Sequence, residues 1–102
     1  MYLIEALEQS EPGLFRRVGS AIRKQGLNQR TEQTYLHWIS RFVLFHQPKT
    51  PEALESADQQ LFLLYLQDRI QLSRARFNQA RQALAFFYEA VLEKHEPMVR
   101  SA

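Results

Sequence analysis

Two short segments of this sequence combine arginines with hydroxyl and carboxamide side chains, and each lies where a helix is predicted to begin. They span residues 28–34 and 73–79. Arginine side chains and the N–H groups at helix N-termini bind phosphate, and arginine, asparagine and glutamine can hydrogen-bond base edges in the major groove of DNA. The alternative interpretation of Asn28, Thr31 and Ser73 is that they cap the helices and have no other role. Capping does not account for arginines in both first turns, because the helix dipole disfavours cations there, so a polyanionic partner is plausible.

The distribution of charge along the chain leaves this question open. Residues 14–49 carry seven basic side chains and one acid, residues 50–68 carry four acids and no base, and residues 69–81 carry four arginines and no acid. The net charge is nevertheless only +2. A polyanion partner requires both basic blocks to fold onto one face. Otherwise the charges form an ordinary solvated helix surface, which the small net charge favours when it is considered alone.

The sequence contains no pattern typical of catalysis or of cofactor binding. It has no cysteine, which excludes disulfides and thiolate metal sites. His37, His46 and His95 lack the spacing of metal ligands, and there is no glycine-rich phosphate loop. We therefore expect no metal, no cofactor, no small-molecule ligand and no complete enzyme within these 102 residues.

The sequence also lacks the features of a secreted or membrane protein. Glutamates interrupt the apolar N-terminus, which has no basic stretch ahead of it, so it does not resemble a signal peptide. The longest apolar run, residues 61–66, is far too short to span a membrane. We expect a bacterial cytoplasmic location, associated with the nucleoid.

Helical periodicity dominates the chain, and no segment alternates in the manner of a strand. The prediction is an all-α fold, a compact bundle of four to five helices. Gly26 is expected to end the first helix, and Thr50 and Pro51 to open a short turn. The helices are predicted over residues 13–25, 28–46, 56–70 and 73–93.

The third helix carries the most apolar sequence and is therefore expected to be the most buried. Ser56 and Gln59 have the spacing of a capping box at its start. Its main buried face is predicted to consist of Leu61, Leu64 and Tyr65, with Phe62 and Leu66 broadening that face.

Aromatic residues on the second and fourth helices recur at helical spacing. This spacing is typical of core residues and not of platforms for base stacking. The assignment covers Tyr35, Trp38, Phe42, Phe87 and Tyr88. It leaves Phe62 and Phe77 undecided.

The second predicted helix also contains a recognisable family pattern. Residues 30–42 fit the run R-T-x-x-x-Y-x-x-W-I-x-x-F and thereby resemble the phage integrase, or tyrosine recombinase, family. Residues 21–24 and 45–46 resemble its integron-integrase subgroup, and residues 73–92 resemble the fourth helix of the same family. The resemblance covers about residues 14–92.

This resemblance implies a SAM-like core-binding domain that forms half of a C-shaped clamp around duplex DNA, with the second and fourth helices crossing the major groove. From the second helix it assigns DNA contacts to Arg30, Thr31 and Thr34, with Arg41 as a weaker phosphate contact. From the fourth helix the contacts are Arg74, Arg76, Asn78, Gln79 and Arg81. At positions 76 and 81 the family often has a hydroxyl and an apolar residue, so the arginines found here favour phosphate binding over base recognition.

The same resemblance gives an expected division of the chain. Residues 1–12 form a flexible N-terminal arm, residues 13–96 the DNA-binding domain, and residues 97–102 a tail towards a catalytic domain whose residue set is absent here. The apolar arm either packs on a neighbouring recombinase protomer or is a frayed terminus.

A second hypothesis is a SAM-like or death-domain-like protein-interaction module. Such a module would use the acidic block at residues 52–68 against a basic block on another copy. The positions of the arginines discriminate between the two hypotheses, because DNA binding requires those of the second and fourth helices to share a face.

Overall fold

The computed structural model of the chain describes Gln9 and residues 11–93, and the regular structure there is entirely helical, which confirms the predicted all-α class. Four α-helices follow one another, and we name them α1 (Leu14–Lys24), α2 (Gln29–Phe45), α3 (Ser56–Tyr65) and α4 (Arg74–Phe86). A 3-10 turn, Pro51–Ala53, precedes α3. Helices α3 and α4 each continue into a π-helical turn, Leu66–Ile70 and Phe87–Val91. His95 and residues 97–102 lie outside the described residues, as does most of the predicted N-terminal arm.

The helix boundaries follow from local capping chemistry that the sequence displays. The Asn28 side chain accepts a hydrogen bond from the Thr31 N–H at 2.8 Å, and Ser73 Oγ accepts one from the Arg76 N–H at 3.3 Å. Gly26, with a φ of 70°, follows α1 in the left-handed conformation that glycine adopts without a steric penalty. The predicted starts of α2 and α4 are therefore correct.

The predicted capping box of α3 is wrong by one residue. The N-cap is Glu55, whose N–H donates to Asp58 Oδ2 at 2.8 Å. Asp58 thus takes the role that was expected for Gln59. A carboxylate is the stronger acceptor at the positive end of a helix, and Lys49 holds this one in place at 3.0 Å.

The core lies where α2 packs against α4. Phe42 of α2 is fully buried, with its ring centroid 5.5 Å from that of Phe62 and 6.3 Å from that of Phe87. The rings of Tyr35 and Phe86 meet at 4.9 Å on the same helix pair. These contacts confirm the aromatic stripes as core, and they place Phe62 in it as well.

The predicted buried face of α3 is wrong. Leu61 and Leu64 are 56% and 53% exposed, whereas Phe62 and Leu66 are buried and Tyr65 is half-buried. The fully buried apolar residues of α3 and its π-helical turn form a narrow stripe at i, i+4 spacing, and Leu63 and Tyr65 pack half-buried against the core beside it. Helix α3 is therefore not the most buried helix. Within the described residues, none of the helices is long and apolar enough to cross a bilayer.

Candidate nucleic-acid interface

Helix α2 presents a polar stripe on the side that faces away from the core. Arg30, Thr34, His37 and Arg41 follow one another at intervals of four, three and four residues, which places them on one face. Arg30 is exposed, and the other three are half-buried. Thr31 lies one position round the helix from this stripe, and it is half-buried with its N–H held by the Asn28 cap.

The predicted residues of α4 divide between two edges of the helix. Arg76 and Gln79, three residues apart, lie on the edge next to α2. The remaining three, Arg74, Asn78 and Arg81, share the other edge at i, i+4 and i+7 spacing. Residues two positions apart fall on nearly opposite sides of a helix. The sequence analysis nevertheless treated these five residues as one set and did not predict the division.

The second edge of α4 borders a groove of about 690 Å³ between α3 and α4. Asn78 and Arg81 line one wall, and Ser56, Gln59 and Gln60 lie among the residues that line the opposite wall. The groove is open, and its lining combines polar side chains with apolar ones such as Leu63 and Ala85. It therefore forms no enclosed pocket.

The two basic helices meet at Trp38. The Cζ atom of Arg41 lies 5.5 Å from the centroid of the Trp38 ring, and that of Arg76 lies 5.7 Å from the same centroid. Both distances are within the range of cation–π attraction. Trp38 is only 1% exposed. The prediction that Trp38 is a core residue is confirmed, but the contact of its ring with one arginine from each helix was not predicted.

His37 belongs to the same junction, although it was not among the predicted DNA contacts. Its ring meets the edge of Trp38 at a centroid distance of 4.8 Å. Its Nε2 atom is buried and has no hydrogen-bond partner among the described residues. Burial lowers the pKa of His37, and the charges of Arg41 and Arg76 lower it further, so the imidazole is neutral at neutral pH. The described residues contain no cluster of potential metal ligands.

The arginines of this surface are not neutralised within the described part of the chain. Elsewhere, Arg17 pairs with Glu52 at 3.0 Å and Lys49 pairs with Asp58 at 3.0 Å. Among residues 11–93, no comparable ion pair involves the five arginines of the candidate interface: Arg30, Arg41, Arg74, Arg76 and Arg81. Two basic helices therefore present charge that no ion pair within residues 11–93 neutralises.

The acidic block, in contrast, is largely engaged in holding the fold together. Asp58 is 6% exposed and accepts hydrogen bonds from Lys49 and from the Glu55 N–H. Burial alone would raise the pKa of Asp58, but the Glu55 N–H and Lys49 outweigh it, so the pKa lies below its ordinary value. Glu52 pairs with Arg17. Glu55 is the N-cap of α3, and its side chain accepts a hydrogen bond from the Asp58 N–H in the capping box, so three of the four acids in the block have structural roles.

Comparison with known proteins gives the family of the chain. The profile of the family described as "Phage integrase, N-terminal SAM-like domain" matches residues 14–97. The chain therefore belongs to the phage integrase, or tyrosine recombinase, family through its N-terminal SAM-like domain.

Two relatives, from Escherichia coli and Pseudomonas aeruginosa, are each named "Integrase/recombinase" and are each 39% identical to this chain over 71 residues. The matched segment covers 70% of this chain but only 21% of each relative, so the chain spans about a fifth of their length. No solved structure matches the chain.

Proposed function

We propose that this domain grips duplex DNA through α2 and the first half of α4, as the core-binding part of a site-specific recombinase. The observation that carries the proposal is the meeting at Trp38 of arginines from both helices, which have no ion-pair partner among the described residues. The names of the relatives support it. The match of residues 21–24 and 45–46 to the integron-integrase pattern favours that subgroup, and hence a mobile element as the source of the chain.

The dimensions of the α2 stripe suit the DNA backbone. From Arg30 to Arg41 it extends over roughly 16 Å at a rise of 1.5 Å per residue. That length corresponds to roughly five base pairs at 3.4 Å each. Arg30 and Arg41 would neutralise phosphates and release condensed counterions, while Thr34 between them supplies a hydroxyl donor.

The two edges of α4 suit a helix that lies in the major groove. The groove is wide enough to admit an α-helix, so both edges of the helix can face a wall of the groove. Asn78 and Gln79 are exposed near the tip of this surface, where carboxamides can bind base edges. Arg74 and Arg81 on one edge, and Arg76 on the other, would contact phosphates.

In this proposal, residues 13–96 form the DNA-binding domain and supply no catalytic residue. Residues 97–102 lead towards the catalytic domain of a recombinase. The arm at residues 1–12 contacts a neighbouring protomer, and the protein acts on DNA of the bacterial nucleoid in the cytoplasm. The arm and the tail lie largely outside the described residues, and their roles rest on the family resemblance.

One observation favours a protein-interaction module as a second candidate. Leu61 and Leu64 are exposed on adjacent turns of α3 and could bind another protein. The charge-based form of this hypothesis is weakened, because Glu52 and Asp58 are engaged within the chain.

The test of the proposed function is the fluorescence anisotropy of a labelled duplex of about 30 base pairs, titrated at two salt concentrations. Binding should weaken with salt, with a log–log slope of about −0.9 for each phosphate contact. Arg30→Ala/Arg76→Ala should weaken binding at least about tenfold, since each change removes a charge-assisted hydrogen bond. The matched control is Arg69→Ala, at an exposed arginine in the π-helical turn after α3. If the folded wild-type chain binds no duplex at low salt, the protein-interaction module becomes the better account.

A further inference from the structure

At the junction of α2 and α4, two arginines lie close together, and no ion pair of the described residues involves either of them. Two guanidinium groups from different helices are held against one indole ring, and a buried imidazole lies beside them. We propose that Arg41, Arg76 and His37 form a single anion-binding pocket over Trp38, which takes one phosphate group of the DNA backbone. The source of the phosphate rests on the proposed function, but the pocket itself rests on the geometry of these four residues.

The geometry brings both arginines to one ring. Their Cζ atoms lie 5.5 and 5.7 Å from the same ring centroid. Both arginines also act electrostatically on the His37 imidazole. A guanidinium presents several N–H donors in a planar fork, so two of them can hold different oxygens of one phosphate.

The electrostatics of the junction favour an external anion. Two like charges near one ring repel each other, and the cation–π attraction to Trp38 offsets only part of that cost. Two acids of the described residues, Glu52 and Asp58, form ion pairs with Arg17 and Lys49, away from the junction. A phosphate between the guanidinium groups would replace their repulsion by two attractive contacts.

His37 gives the pocket a third polar group. The charged groups that face it are Arg41 from its own helix and Arg76 from α4. Its buried Nε2 atom has no hydrogen-bond partner among the described residues. In the tautomer that carries the proton on this nitrogen, Nε2–H is a donor, and a phosphate oxygen can accept from it once the side chains that cover the nitrogen move aside. A neutral donor of this kind adds a hydrogen bond without adding a third positive charge.

The pocket changes the role of Arg76. An arginine engaged with a phosphate does not read a base, so Arg76 would position α4 and leave base recognition to Asn78 and Gln79. Arg76→Gln should therefore weaken binding to all duplex sequences by a similar factor, whereas Asn78→Ala should weaken binding unequally among sequences.

The salt dependence of binding tests whether the two arginines share a phosphate. In Arg41→Gln/Arg76→Gln the log–log slope should be less negative than in the wild type by about 0.9, the value for the loss of one phosphate contact. Two separate contacts would instead give a change of about 1.8. The larger change would overturn the shared pocket while leaving DNA binding intact.

Trp38 provides an independent readout, because it is the single tryptophan of the chain. Titration with inorganic phosphate, with chloride adjusted to constant ionic strength, should change its fluorescence in the wild type and in Arg69→Gln. The change should be lost in the folded Arg41→Gln/Arg76→Gln variant. An unchanged Trp38 emission in the wild type would overturn the pocket. If the chain binds no DNA but the phosphate response persists, the pocket stands and the proposed function fails.

Discussion

Two charged clusters on α2 and its flanks contain similar side chains but use them in opposite ways. The first, which we call the clasp, follows the end of α2: His46 Nε2 donates to the Asp58 carbonyl at 2.8 Å, and Lys49 Nζ lies 3.0 Å from both Asp58 carboxylate oxygens. The second is the junction of His37, Arg41 and Arg76 at Trp38. The clasp contains its own anion, and no ion pair or side-chain hydrogen bond of the described residues neutralises the junction.

The difference shows which charges serve the fold and which are available to a ligand. Asp58 joins the loop after α2 to the start of α3, so its charge is used within the chain. Arg41 and Arg76 repel each other and gain only the attraction of an aromatic ring. We therefore expect changes in the clasp to affect stability, and changes in the junction to affect ligand binding.

The largest effect on stability is expected for Asp58→Ala. The change removes the acceptor for the Glu55 N–H and the partner of Lys49, so the free energy of unfolding should fall by about 2 kcal/mol. Urea denaturation measures this difference. Asp68→Ala, at an exposed acid in the π-helical turn after α3, is the matched control and should change stability by no more than about 0.5 kcal/mol. Equal losses of stability in the two variants would show that the clasp does not stabilise the fold more than an exposed acid does.

Substitutions at the junction should have the opposite effect: a small change in stability and a loss of DNA affinity. Arg41→Gln and Arg76→Gln each lose a cation–π contact but relieve repulsion, so the free energy of unfolding should change by less than about 1 kcal/mol in either direction. The same variants should lose DNA affinity. Urea denaturation and anisotropy on the same preparations give both values. A loss of stability as large as that of Asp58→Ala would mean that the junction serves the fold.

Because of the clasp, the stability of the fold should also decrease at acidic pH. The folded-state pKa of Asp58 lies below its unfolded value, so its stabilising effect is complete above the unfolded value, about 3.9. The effect is lost as the pH falls further, through the folded-state pKa. Thermal unfolding between neutral and strongly acidic pH should show a steeper decline for the wild type than for Asp58→Asn. Parallel profiles would contradict the assignment.

The smallest effect is expected in the titration of His37. Its pKa should lie below the ordinary histidine value of about 6.5, because burial and the two arginines disfavour the imidazolium. Arg76→Gln removes one of these charges and should move the pKa upwards. Proton NMR of the histidine ring signals over a pH series measures it. A pKa that does not respond to the substitution would place Arg76 away from the imidazole.

The sequence predicted those parts of the molecule that depend on neighbouring residues. Asn28, Ser73 and Gly26 act as caps within a turn of their own positions, so the end of α1 and the starts of α2 and α4 could be predicted correctly. The α2 stripe follows from spacing on a single helix. The family pattern also led to the correct domain class.

The parts that depend on packing could not be obtained in this way. The apolar run from Leu61 to Leu66 has no clear period, so the sequence did not indicate that only Phe62 and Leu66 would be buried. The contact of Trp38 with Arg76 joins two helices, and it depends on how α4 crosses α2. The division of the α4 residues between two edges became apparent only once the core direction was known.

The most direct test of the central claim is to map the DNA-binding surface by NMR on the isotopically labelled chain. Backbone amide shifts are followed during addition of a duplex of about 15 base pairs at low salt. We predict that the largest changes fall on the α2 stripe from Arg30 to Arg41 and on the first half of α4 around Arg76, and that the clasp at Asp58 is unaffected. Changes confined to the exposed face of α3 around Leu61, or no changes at all, would contradict it.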